Sequence, residues 1–441
     1  MATTYLTRTG VTPTISNKYT FSCWVKRGSI GTTETIFRTY SDSNNSAQLI
    51  FDSDDSFAFQ DIIGGTTVTN LKPSNLFRDT GAWMNIIVQV DYTQATAADR
   101  AKIFINGVEV SYSATTVQSE GGASMLNTAN NNALGSNRSN SSHYFTGSMS
   151  QVNFIDGTAY PATAFGSVNA TSGIWVANSG PTVTYGNNGF FLDMANSSDM
   201  GNDVSGNAND FTVGGGTVTQ MEDTPDNNFA TWNPLVQQSS GFVLSNGNTT
   251  ADNTNDTWRS VYSTLAPSVG KYYFECKIVN QLQTPRSIIG VCSTTQASNS
   301  SARLGYEGTN AYAYGSDGNK INNGTNTSYG NTFATGDIIS CALDLDNGKI
   351  YFGKNGTWQN SGDPTSGSTG TGSAFNVTLG ESYYFGSASY GNDGIISINS
   401  GNGYFQTTAV SSAGTNASGN GIFEYDVPTG YTALSTEGLN S

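Results

Sequence analysis

Gly336-Asp337-Ile338-Ile339-Ser340-Cys341-Ala342-Leu343-Asp344-Leu345-Asp346-Asn347-Gly348-Lys349-Ile350-Tyr351-Phe352-Gly353-Lys354-Asn355-Gly356-Thr357-Trp358 reads as one strand running into an Asp-Asn-Gly turn and a second strand returning. Asn347 and Gly348 can take the positive φ of a tight hairpin turn, and the flanking residues are β-branched or aromatic at period two. A second turn, Asn355-Gly356, follows at once. Aspartates at alternate positions in Asp344-Leu345-Asp346 also suit the start of a calcium loop. The twelfth position of such a loop would be Asn355 rather than Glu, and the flanks are strands, so the hairpin is the better reading.

Working outward, Gly270-Lys271-Tyr272-Tyr273-Phe274-Glu275-Cys276-Lys277-Ile278, then Ile288-Ile289-Gly290-Val291, then a Tyr-rich segment ending Tyr314-Gly315-Ser316-Asp317-Gly318 precede the hairpin. These blocks, in this order, resemble the SPRY (B30.2-like) family, a bent β-sandwich used for binding. The resemblance covers Phe242 to Phe405.

The first half alternates in the same way. Tyr19, Phe21, Cys23 and Val25 fall on one face of a strand, and Trp83-Met84-Asn85-Ile86-Ile87-Val88-Gln89-Val90 is followed, after a variable loop, by Lys102-Ile103-Phe104-Ile105-Asn106-Gly107-Val108-Glu109-Val110, within which Asn106-Gly107 is again a hairpin turn. With the closing segment Phe145-Thr146-Gly147-Ser148-Met149-Ser150-Gln151-Val152, this pattern resembles the laminin-G/concanavalin-like lectin sandwich. The expectation is therefore an all-β chain of two antiparallel β-sandwich domains, jelly-roll in type, concanavalin-like at 1–165 and SPRY-like at 241–405. A turn-rich connector spans 166–240, partly packed on the first domain, and 406–441 form a C-terminal tail segment.

The connector holds Asp203-Val204-Ser205-Gly206-Asn207-Ala208-Asn209-Asp210-Phe211, then Asp223-Thr224-Pro225-Asp226-Asn227-Asn228-Phe229-Ala230-Thr231-Trp232-Asn233-Pro234-Leu235. With Leu244-Ser245-Asn246-Gly247-Asn248 and the closing Phe423-Glu424-Tyr425-Asp426-Val427-Pro428-Thr429-Gly430-Tyr431, it resembles two-sandwich structural proteins of tailed bacteriophages. That likeness implies a virion setting.

Composition narrows the chemistry. The 441 residues carry a net charge of −15 with a pI near 4.3, which disfavours nucleic acid and anionic membranes as partners. No apolar stretch approaches a membrane span, and the start lacks the cationic and apolar regions of a signal peptide, so no membrane insertion is expected. Cys23, Cys276, Cys292 and Cys341 lie in strand-like segments and read as buried free thiols. His143, the one histidine, sits in a polar loop and makes a catalytic triad or a His-rich metal site improbable. The Glu-x-Asp-x-x-Glu face of concanavalin-like hydrolases is absent, so no catalytic residue is assigned.

Binding is the remaining chemistry. Trp258, Arg259, Tyr312, Tyr314, Asp317 and Tyr329 are read as aromatic and polar residues of loops, where rings stack on sugar faces or anchor an interface. Trp258 and Trp358 equally suit covers for the ends of a sandwich core. Asp52, Asp54 and Asp55 form a candidate calcium rim, Ca2+ being the only cofactor considered. Gly362–Gly372 reads as a flexible loop. The expected role is non-enzymatic adhesion by a phage particle-surface protein, as tail fibre, spike, head fibre or decoration, that folds in the host cytoplasm. Its partners would be other virion proteins, copies of itself, and a host-surface glycan or protein. A purely structural decoration subunit is the first alternative and a polysaccharide depolymerase the second.

Overall fold

Period-two alternation sets the first core. In the computed structural model, which describes residues 3–137, 142–237, 242–281, 286–297, 303–391 and 394–440, Tyr19, Phe21, Cys23 and Val25 are fully buried on one face of the strand Lys18–Arg27. That strand lies in a six-stranded sheet ordered Phe190–Leu192, Gly147–Asp156, Lys18–Arg27, Met84–Asp91, Ala101–Ile105, Val108–Glu109. Facing it across one apolar cluster is an eight-stranded sheet that includes Glu34–Asp42, Asn45–Phe51, Phe57–Ile63 and Thr66–Pro73. Asn106 and Gly107 take φ of 49° and 77°, as a two-residue hairpin requires. The ring of Trp175 also occupies the space a Cβ on Gly107 would need, so that position excludes a side chain twice over.

The outer face of the six-stranded sheet is not left to water. Ile87, Phe104 and Ile155 are covered by Tyr160, Ala162, Phe165, Trp175, Val183 and Tyr185. The Asp203–Phe211 motif has a structural task here. The Asp203 carboxylate accepts from the backbone N–H of Phe191, Ser205 and Asn209, and the amides of Asn207 and Asn209 donate to the carbonyls of Gly186, Asn187 and Gly189. This lock delivers Phe211 to the core. The chain divides into two compact units, Met1–Gln220 and Met221–Ser441, so the stretch expected as a 166–240 connector belongs up to Gln220 to the first unit and beyond it to the second.

The second unit is also a pair of sheets around one cluster. Its nine-stranded sheet is centred on Lys271–Asn280, paired with Ile338–Asp344 on one side and Gly394–Asn399 on the other. The decisive hairpin is present with a different turn. Asp344 pairs with Lys349, four residues lie between, and only Gly348 among them is left-handed, at φ 64°. The Asp344 carboxylate makes this longer turn by accepting from the backbone N–H of Asp346 and Asn347 and from the Asn347 amide. Asn355-Gly356, at φ 47° and 78°, is the two-residue turn.

Residues 406–441, expected as a tail, are folded onto the outer face of this sheet. Phe423, Val427, Tyr431 and Ala433 pack with Phe229 against Tyr273, Ala342 and Tyr351. Both ends of the unit meet there: the Ala230 N–H donates to the Leu434 carbonyl (2.9 Å), the Asn228 N–H to Thr436 Oγ1 (3.0 Å) and the Asn227 amide to Asn420 Oδ1 (2.9 Å). The Gly362–Gly372 segment, expected to be flexible, is likewise tied down. Tyr431 and Tyr329 donate their hydroxyls to the carbonyls of Pro364 and Gly372, and Asp363 caps the short helical turn Pro364–Thr369.

Glu275 is the polar anchor of the C-terminal segment. Fully buried, it accepts the backbone N–H of Glu424 and Tyr425 and the Tyr273 hydroxyl, each at 2.9 Å. Burial outweighs these bonds and pushes the carboxyl up from an ordinary 4.5 to about 7. Burying Glu275 on folding takes up a proton between those values, so its contribution to the stability of the second unit is fully present below pH 4.5 and is lost as the pH rises through about 7. Amide exchange of Glu424 and Tyr425, corrected for intrinsic rate, should show protection falling across that window, by on the order of 3 kcal/mol at most. Glu275→Gln should flatten the slope; an unchanged slope in that variant would assign the pH dependence elsewhere.

Candidate ligand-binding site

Small residues on the outer face of the seven-stranded sheet of the second unit create the site. The sheet runs Trp232–Gln237, Trp258–Ser263, Tyr383–Tyr390, Ser287–Ser293, Ala311–Gly315, Asn319–Asn322, Thr325–Ser328. Ala311, Ala313 and Ala388 line its outer cluster, and Gly386 leaves room beside Tyr262 and Leu304. The segment Leu304-Gly305-Tyr306 therefore lies flat on the strands. Gly305 is left-handed at φ 81°, with Ala313 and Ile321 close to where its Cβ would be, and the Leu304 N–H donates to Ser260 Oγ (3.0 Å). A turn closed by the Tyr306 N–H on the Arg303 carbonyl then folds the Arg303 side chain back under the Tyr306 ring.

The result is a ladder of cations and rings at one end of three adjacent strands. Trp258 and Tyr390 are directly paired across two of them, with ring centroids 5.7 Å apart and edge-on. The Arg303 guanidinium sits 3.4 Å from the Trp258 centroid and 3.6 Å from that of Tyr306, and Arg286 caps the other end at 4.5 Å from Tyr390. All five side chains are half-buried. Desolvation lowers the Arg303 pKa from its ordinary value, opposed by the charge of Asp317 and by Tyr306. Arg259 follows Trp258 in the strand with its side chain on the opposite face, and its Nε is buried without an acceptor.

Of the residues expected to bind, Trp258 is part of this ladder and Arg259 is its strand neighbour on the opposite face; the others do different work. Tyr312, Tyr314 and Tyr329 were read as loop aromatics, but Tyr312 and Tyr314 belong to the strand Ala311–Gly315 and all three are buried in the sandwich core. Tyr314 stacks on Phe352 at 5.6 Å and packs against Phe333 and Tyr329. The reason for the misreading is that alternating Ala and Tyr give a weak apolar pattern, although tyrosine is a core residue when its hydroxyl reaches a partner. Tyr312 reaches Thr378 Oγ1 (3.1 Å) and Tyr329 the Gly372 carbonyl (3.3 Å). Asp317 shapes its own turn by accepting from the Asn319 N–H and amide. Arg286, Arg303, Tyr306 and Tyr390 were missed. Residues 221–441 contain three arginines, Arg259, Arg286 and Arg303, and that scarcity was the available signal.

The candidate calcium rim is occupied by the protein's own cations. Lys72 Nζ lies 3.1 Å from Asp54 and 3.7 Å from Asp52, while Asp55 pairs with Arg27 (3.2 Å) and Arg78 (3.0 Å). The Ser56 N–H and hydroxyl and the Lys72 ammonium hold the Asp54 carboxyl below its usual range. Three carboxylates already neutralised in this way have no oxygens converging on a hard cation, and no group of metal-ligating side chains forms among the described residues. Among the carboxyls that burial pushes up, which include Glu34 and Asp252, Asp61 reaches about 6 and Glu275 about 7. Both are buried, Asp61 under Ser124 Oγ and the Met125 N–H. All four cysteines are buried and free.

The families now follow from comparison. Residues 2–163 match the model described as concanavalin A-like lectin/glucanases superfamily, and residues 271–375 match the SPRY domain model. The chain thus has a laminin-G/concanavalin A-like N-terminal domain and a C-terminal SPRY domain. Ran-binding protein 9 of Danio rerio is 34% identical over 94 residues, 21% of this chain and 15% of that protein. Ran-binding protein 9 of Xenopus tropicalis is 36% identical over 101 residues, 22% and 18% of the two chains. The chain spans less than a fifth of the length of these curated relatives. Among solved structures, the SPRY domain of human HERC1 is 20% identical with a TM-score of 0.30, over 38% of this chain and 96% of that one. The first superfamily includes lectins and glucanases, and lectin-like and SPRY domains suggest a binding role.

Two outcomes follow from these assignments. Tyr314→Ala should destabilise the second unit by about 3–5 kcal/mol in denaturant titration, as loss of a core aromatic does, whereas Trp258→Ala should cost clearly less. Millimolar calcium or EDTA should leave the melting temperature of the first unit unchanged; a rise with calcium would restore the metal reading of Asp52, Asp54 and Asp55.

Proposed function

We propose that this protein is a non-enzymatic adhesin whose SPRY domain holds a partner at the Arg286–Tyr390–Trp258–Arg303–Tyr306 ladder. The observation that carries this reading is the ladder itself. Half-buried Trp, Tyr and Arg side chains at the end of a rigid sheet are the residue types that anchor interfaces, and packing alone would favour aliphatic covers there. The relatives are named as Ran-binding proteins, which supports partner binding as the mode; Ran itself is their partner. The near-neutral carboxyls Asp61 and Glu275 are engaged in holding backbone, which supports a role without acid–base chemistry.

The setting we propose is the exterior of a tailed-phage particle. Support comes from the resemblance of 203–211, 223–235 and 423–431 to two-sandwich virion proteins. There the chain folds in the host cytoplasm, associates with other virion proteins and with copies of itself, and meets a host-surface protein or glycan. Many copies would convert weak single contacts into firm attachment.

Trp258→Ala in particles should leave assembly intact while lowering adsorption to host cells by about tenfold, the scale of one anchor residue. Unchanged adsorption would remove the ladder from the attachment surface. Particles that fail to assemble would point to an architectural role, and release of reducing ends from host polysaccharide by the purified protein would replace adhesion with hydrolysis.

A further inference from the structure

The arginines of the two units are used differently. In the first unit Arg8, Arg27, Arg38, Arg78 and Arg100 each donate to an internal carboxylate, amide or carbonyl oxygen, among them Asn188 for Arg8, Asp55 for Arg27 and Arg78, and the Gln94 carbonyl for Arg100. In the second unit Arg259 and Arg303 reach no carboxylate, amide or carbonyl acceptor among the described residues; the buried Nε lacks one in Arg27 and Arg38 as well, so what sets the second-unit pair apart is that no other guanidinium nitrogen finds such an acceptor. The chain is not short of acids, which outnumber Lys and Arg by 33 to 18. Asp317, whose charge acts on Arg303, is turned to Asn319 instead.

We infer that the ladder binds a carboxylate-bearing ligand, an acidic peptide segment of the partner, with Arg303 as the principal contact. This rests on the ladder being the binding site. A neutral sugar would need an open ring face. Trp258 and Tyr306 each turn a face to the Arg303 guanidinium and pack otherwise against the sheet's outer cluster, while Tyr390 is taken by Arg286 and the edge of Trp258. What the ladder still offers is the in-plane N–H edge of a guanidinium whose two faces are fixed by rings, the geometry that takes a carboxylate in two parallel bonds. Because Arg303 is recessed between two rings, a carboxylate at the tip of an Asp or Glu side chain can reach it. A carboxylate fixed to a sugar ring brings that ring against the edges of Trp258 and Tyr306. The net charge of −15 repels anions at long range, so capture of a polyanion requires a local cationic contact.

The test uses the full chain at physiological ionic strength with poly-L-glutamate as probe, and polygalacturonate and dextran alongside. Poly-L-glutamate should bind saturably and the two polysaccharides at least about tenfold more weakly. Arg303→Ala should weaken the poly-L-glutamate interaction by about tenfold, and Arg303→Lys should weaken it several-fold because the charge remains but the fork is lost. Melting curves within a few degrees of wild type establish that both variants are folded; should Arg303→Ala melt early, Arg303→Lys alone decides. Poly-L-glutamate binding that is absent, or equal in the Arg303 variants, overturns the inference, as does preference for polygalacturonate. If Trp258→Ala abolishes adsorption while poly-L-glutamate neither binds nor competes with host cells, the site stands and its ligand class falls. If adsorption is also unmoved by Trp258→Ala, both fall.

Discussion

An antiparallel sheet is stable with one face in water, and the architecture of this chain follows from sheets that are closed on both faces. Every residue of Ile338–Asp344 and of Ser287–Ser293 is buried, and nine of the ten in Lys18–Arg27. A strand with no solvated side obliges some other part of the chain to cover it. In the first unit that cover is 160–185. In the second it is the C-terminal segment 423–433 on one sheet and 304–306 on the other. The covers and the segments that follow them are irregular, so their own backbone groups need partners, and carboxylates and amides supply them: Asp203 in the segment after one cover and Glu275 beneath another. The Asn- and Asp-rich composition that reads as loop is in large part the hydrogen-bonding of these covers.

This division separates what was legible in the sequence from what was not. Strands with one face to the core declare themselves by alternation, as Tyr19, Phe21, Cys23 and Val25 do, and hairpins by Asn-Gly, as at Asn106-Gly107 and Asn355-Gly356. Covers carry no period. Phe423, Val427 and Tyr431 stand among Gly, Pro and acidic residues, so the segment resembles a tail until the sheet it lies on is known. The hairpin at 344–349 is legible as a hairpin but not as a turn type, because the Asp344 side chain, rather than the Asn347 backbone, decides it.

The candidate site was half legible for the same reason. Trp258 and Arg259 attract notice as an aromatic and a cation in a polar stretch. Their companions come from positions 286, 303, 306 and 390, brought together by strand pairing and by a segment lying on glycine and alanine. Tyr312 and Tyr314 fail in the opposite direction. A tyrosine whose ring is in the core and whose hydroxyl is at the rim looks, in sequence, like a tyrosine of a binding loop. Hydropathy cannot separate the two; the register of the strand can.

The first unit contains a finished version of what the ladder holds in part. Arg27 is completely buried with its guanidinium 4.4 Å from the Phe51 centroid, and two carboxylates, Asp55 at 3.2 Å and Glu34 at 3.6 Å, supply its counter-charge. Such a buried group is tolerable because ring face and anions together replace the water it gave up. Arg303 has the ring faces, two of them and closer, and no carboxylate in hydrogen-bond contact, the charge of Asp317 acting on it without one. Its partial exposure lets water stand in for the missing charge, which a fully buried guanidinium could not accept. A guanidinium pre-positioned between rings and without a contacting carboxylate loses little conformational freedom when one arrives. Ring stacking at the Trp258 end of the sheet and open solvent at its edge are therefore parts of one device: the first sets orientation, the second leaves the counter-charge to be supplied from outside.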